Sequence, residues 1–74
     1  MGKAGKVLRE ILDEYAISQT QLADRLGIGR SNVHRWVNES RDPNSETLIE
    51  IIRALRTLDP EAAEIFKQRY LDGI

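Results

Sequence analysis

Six side chains between residues 30 and 38 are of the kinds that recognise hydrogen-bonding partners: Arg30, Ser31, Asn32, His34, Arg35 and Asn38. Interleaved with them are Val33, Trp36 and Val37, at the spacing of one helix face. A helix over Arg30–Val37 would bury the second set and turn the first outward. An outward face made only of donors and acceptors is what a helix needs to read base edges in a DNA major groove. Arg30 and Arg35 are the strongest candidates, because one guanidinium donates two hydrogen bonds to the O6 and N7 of guanine. Ser31 and Asn32 come next, the first as a short donor and acceptor and the second as an adenine reader. His34 faces the same way. Trp36 reads as core rather than as a stacking platform, since it shares its spacing with Val33 and Val37.

Other chemistry is poorly supplied. The chain has one histidine and no cysteine. His34 therefore lacks the partners that a metal site or a nucleophile–base pair requires. The reading is of a non-enzyme with no metal and no cofactor. Arg9, Arg53 and Arg56 read as solvated or as partners of nearby acids such as Asp13 and Glu50.

The elements that must position this face are legible around it. Val7, Leu8, Ile11, Leu12 and Tyr15 recur at helical spacing and predict a first helix from about Lys3 to Tyr15. Ser18 with Gln21 three residues later forms a capping-box pattern that opens a second helix at Gln19 and carries it to Leu26. Gly27 ends that helix in a positive-φ conformation that glycine adopts without steric cost. Leu22, Leu26, Ile28, Val33, Trp36 and Val37 are expected to face inward and hold the two short helices together. Ala23 supplies the small side chain where they cross. Asp42-Pro43 breaks the chain after the third helix. Ser45 is expected to cap a fourth helix with Leu48, Ile51, Ile52 and Leu55 as its core stripe. Asp59-Pro60 opens a fifth that runs to about Leu71. Five helices and no strand make an all-α chain, read as one domain over residues 1–74.

The stretch QTQLADRLGIGRSNVHRWVN, residues 19–38, resembles the lambda-repressor/Cro-type (XRE-type) helix-turn-helix family. The likeness extends from about Leu8 to Leu55. It rests on Gln19 opening the first motif helix, Ala23 and Gly27 at their two positions, Trp36, and a loop with Arg41 and Pro43 before an apolar helix. One departure is Glu39, where the family often has glycine; Asn38 then becomes the residue suited to a left-handed turn. The resemblance implies a five-helix lambda-repressor-like fold that binds duplex DNA as a transcriptional regulator. It implies base contacts from Arg30 and Ser31 and phosphate contacts from Gln19 and Asn38. Gln19 also sits where open backbone amides at a helix start favour an anion. Ser40, Arg41 and Asn44 could add backbone contacts from the loop.

Charge and length bear on partners. The net charge is −1, yet it is segregated. Arg30, Arg35 and Arg41 against Glu39 make residues 29–41 locally +2, while residues 57–74 are locally −2. A chain of this size buries only about 60% of its unfolded surface and gains from association. Phe66 and Tyr70, four residues apart, are expected to form a ridge that, with Ile65, joins two copies into a homodimer. An antitoxin bound to a toxin, or a protein-interaction module on the same fold, are the alternatives. No apolar run approaches the roughly 20 residues of a membrane span. The opening MGKAGK has no apolar segment of the signal-peptide kind, and the expected location is the cytoplasm.

Overall fold

The computed structural model describes residues 3–38 and 41–72. Five helices follow one another: α1 (Lys3–Glu14), α2 (Gln19–Leu26), α3 (Arg30–Val37), α4 (Ser45–Leu58) and α5 (Pro60–Leu71). The described residues contain no strand, and the fold is all-helical. α2 and α3 pack on each other as the helix-turn-helix pair, with α1 against α3, α4 against α2, and α5 closing over α1 and α4.

Local chemistry sets most of the helix ends. The Ser18 hydroxyl accepts from the Gln21 amide at 3.0 Å, and the Gln21 side chain accepts from the Ser18 amide at 2.8 Å, so the capping box is complete. Asp59 accepts from the amides of Glu61 and Ala62, with Pro60 at the first helical position. α4 differs from expectation by one residue. Asn44 is its N-cap, its side-chain oxygen accepting from the Thr47 amide at 2.8 Å, and Ser45 is already helical. Both residue types cap well; the one whose oxygen reaches a third-residue amide wins.

Two helices end in the same left-handed device. At the end of α2, Gly27 has φ 73°, its amide donates to Asp24 O, and the Ile28 amide donates to Ala23 O. At the end of α1 the pattern repeats with a residue that tolerates it less well. Ala16 has φ 54°, its amide donates to Asp13 O, and the Ile17 amide reaches back to Leu12 O at 2.9 Å. α1 therefore stops at Glu14, one residue short of Tyr15.

The core draws on every helix. Leu8, Ile11, Leu22, Val33, Ile51, Leu55 and Phe66 are fully buried. Trp36 is buried beside Val33 and Val37, as its spacing predicts. Two residues depart from expectation. Ile28 is 38% exposed rather than inward, because it lies past the end of α2, where helical periodicity no longer aims it. Phe66 has no exposed surface and belongs to the core, so it cannot form an outer ridge for a second copy. It stacks on Tyr70, with ring centroids 6.2 Å apart. Tyr70 and Ile65 are half-buried, and Leu71 is exposed.

Polar contacts fasten α5 to α1. Arg69 forms a two-pronged pair with Glu14, at 2.6 and 2.8 Å, and reaches Glu10 at 3.4 Å. The Tyr15 hydroxyl donates to Glu61 at 3.0 Å, and the Lys3 ammonium donates to the carbonyl of Asp72. Hydrogen bonding to Arg69 holds the Glu14 carboxyl below its ordinary range. Desolvation, then the bond to Glu61, raises the Tyr15 phenol.

Candidate nucleic-acid interface

α3 is short, and its N-cap residue, Gly29, offers no side chain to its first amides. Those amides open toward solvent beside Arg30 and Ser31, where the helix dipole adds partial positive charge. Arg30, Ser31, His34, Arg35 and Asn38 are all exposed, while Val33, Trp36 and Val37 are buried against the rest of the fold. The sequence spacing thus becomes one continuous hydrogen-bonding face on a helix held rigid from behind. The Arg30 side chain makes no hydrogen bond or ion pair among the described residues.

Asn32 sits differently from its neighbours. It is half-buried, and its side-chain amide donates to Gly29 O at 3.3 Å. That contact tightens the start of α3 and takes up one of the donors an adenine would need. At the other end, the Asn38 amide nitrogen lies 2.7 Å from His34 Nε2. Asn38 has φ −87° and ψ 0°, so it does not take the left-handed conformation expected of it. Glu39 and Ser40 lie outside the described residues, and Ser40's expected contact is among them.

Polar clefts lie on both sides of α3. One, of about 330 Å³, is lined by Arg9, Asp13, Ser18, Gln19 and Asn38, with Leu12, Ile17 and Val37 behind them. It gathers the start of α2 and the end of α3. The capping box occupies the Ser18 and Gln21 amides, which leaves those of Gln19 and Thr20 without an acceptor inside the helix. Gln19 is half-buried in the cleft wall, and its Oε1 is shielded from solvent with no hydrogen-bond partner. The second cleft, of about 270 Å³, is lined by Asn32, Arg35, Trp36, Arg41, Asp42, Pro43, Asn44 and Thr47. Gln19 and Asn38 therefore line one cleft, and Arg41 and Asn44 line the other.

Arg9 is exposed, in keeping with its reading as a solvated charge, and so is Asp13; both also belong to this surface. They stand one turn apart on α1, line the first cleft together, and make no ion pair with each other among the described residues. Arg56 does find an acid, but it is Glu64 of α5, at 3.6 Å.

Among the described residues no helix is long and apolar enough to cross a membrane. No curated protein and no solved structure gives a significant match to the chain. The family model for helix-turn-helix proteins matches residues 8–61, from the second turn of α1 to the first turn of α5. That span holds both motif helices, the turn at Gly27 and the two flanking clefts, and the chain belongs to this XRE/lambda-repressor-like family of DNA-binding helix-turn-helix regulators.

Proposed function

We propose that the chain is one helix-turn-helix domain that binds specific duplex DNA sequences as a transcriptional regulator in the cytoplasm, with α3 in the major groove. The observation that carries this reading is the outward face of α3, on which every exposed side chain is a hydrogen-bonding one. Arg30 and Arg35 are the principal base readers, each able to bond guanine through two donors. Ser31 and His34 extend the readout. Asn32, partly engaged by Gly29 O, contributes less than its residue type suggests. Gln19 and Asn38 on one side, and Ser40, Arg41 and Asn44 on the other, fix the register by holding phosphates. Two copies meet through Ile65, Tyr70 and Leu71 and set their recognition helices in successive major grooves, about 34 Å apart on a palindromic site.

Selection of bound sites from a random duplex library tests the reading in one experiment. The expected result is a short motif repeated as an inverted pair. Recovery of no motif, with the protein folded, would overturn specific recognition. A single unpaired half-site, together with a monomeric sedimentation coefficient across micromolar concentrations, would remove the homodimer and leave the readout in place.

A further inference from the structure

Resting on the DNA-binding reading above, we infer that Arg9 of α1 is a phosphate-contacting residue that bridges the Gln19 side chain and the DNA backbone. Two observations meet in the cleft at the start of α2. The first is the orphaned oxygen of Gln19, shielded from solvent and without a donor. A buried acceptor left unpaired is costly, and native structures supply a partner to nearly all of them. The second is the set of donors around it. Of the side chains lining the cleft, Asn38 spends one contact on His34 and Ser18 accepts the Gln21 amide; each keeps a hydrogen to donate, but neither carries a charge that could also hold a phosphate. Arg9 lines the same cleft, and its side chain makes no hydrogen bond or ion pair among the described residues, even with Asp13 one turn away.

A guanidinium is suited to this position because its donors fan out from one plane. One N–H can satisfy the Gln19 oxygen while another donates to a phosphate oxygen held at the open Gln19 and Thr20 amides. A lysine has the same charge without that fixed fork. The phosphate subsite then combines side chains from three helices: Arg9 from α1, Gln19 from α2 and Asn38 at the end of α3. Asp13 is the opposing group in the same cleft. Its carboxylate repels a bound phosphate, so it limits the strength of the clamp.

Each phosphate neutralised steepens the fall of log K with log salt concentration by about 0.9 for duplex DNA. The test is a potassium chloride titration of binding to a fluorescent 20-base-pair duplex of mixed sequence, read by anisotropy. It uses wild type, Arg9→Met, Arg9→Lys, Asp13→Asn and, as a charge-matched control on α5, Lys67→Gln. Arg9→Met is expected to bind more weakly at 50 mM salt and to lose about 3.5-fold less affinity than wild type on going to 200 mM. Arg9→Lys should restore the salt slope, since one charge returns. Asp13→Asn should bind more tightly than wild type. A merely structural Arg9–Asp13 pair would instead weaken binding in both single variants, together with their melting temperatures. An Arg9→Met variant matching Lys67→Gln in affinity and slope would overturn the inference while wild-type binding stood. A folded wild type that binds no duplex at low salt would overturn both it and the reading beneath it.

Discussion

Arg30 illustrates how a side chain becomes informative through what surrounds it. It stands at the start of α3, exposed, next to amides that no side chain caps. Replacing it with alanine should cost about 1–3 kcal/mol of specific binding and relax the preference at one base pair per half-site. Repeating the site selection with the Arg30→Ala variant checks this; an unchanged motif would take Arg30 out of the readout. Between α1 and α5, the Glu14–Arg69 pair makes a different prediction. Hydrogen bonding to Arg69 depresses the Glu14 carboxyl in the folded state. The pair's contribution is therefore present above the ordinary value of 4.5 and is lost as pH falls through the depressed one. Melting temperature should drop between pH 5 and the acid limit, and Glu14→Gln should make that part of the profile shallower. Both carboxylate and guanidinium are partly exposed, so the effect is small and should weaken further in salt.

At the scale of the element, α1 and α2 end in one motif with two different residues at its left-handed position. A side-chain carbon at Gly27 would meet nothing within 4 Å, so only the backbone angle resists substitution there. Gly27→Val should cost about 2 kcal/mol through torsion alone. Ala16 already bears that strain, at φ 54°, and Ala16→Gly should stabilise the protein by about 1 kcal/mol. Paired thermal melts check both, since 1 kcal/mol moves the midpoint by roughly 4–8 °C in a domain this small. A loss of stability on Ala16→Gly would mean the α1 terminus is not left-handed. These ends also show what the residues alone could tell. Ser18 with Gln21, Gly27, and Asp59 with Pro60 were legible because each terminus is settled by groups within four residues of it. Ala16 was not, because alanine disfavours the left-handed conformation that lets the Ile17 amide reach Leu12 O. Asn44 and Ser45 are adjacent cap-formers, and only the path of the loop chooses between them. The outer face of α3 was legible from its period. The place of Arg9 was not, since it depends on how α1 meets the start of α2, far along the chain.

At the scale of the whole molecule, α5 decides whether the interface has anything to rest on. Ala62, Ala63 and Phe66 are fully buried, and all three lie beyond residue 61, where the family match ends. The burial of Phe66 could not be read from α5 itself. Its apolar residues, Ala62, Ala63, Ile65, Phe66, Tyr70 and Leu71, spread around the helix, so the inward face is chosen by α1 and α4. Phe66→Ala should cost about 3–5 kcal/mol, a large part of the total stability expected for a domain of this size. The variant should lose cooperative melting or melt far below wild type, and DNA binding should fall with it. Calorimetry and anisotropy on the same sample would separate this from a local effect; retained stability would show that the cavity at Phe66 collapses at little cost.

The burial of Phe66 also sets an order in time. Synthesis runs from α1 to α5, and α3 is complete long before residue 66 has been added. Until then α1 and α4 present an uncovered apolar surface, and α3 lacks a finished scaffold behind it. The chain should therefore acquire its fold in one late step as α5 leaves the ribosome, rather than helix by helix. Arrest-peptide force measurements on nascent chains of increasing length should give a single peak, displaced to longer chains when Phe66 is alanine. A peak at lengths that expose only α1–α4 would show that the motif can stand without its last helix.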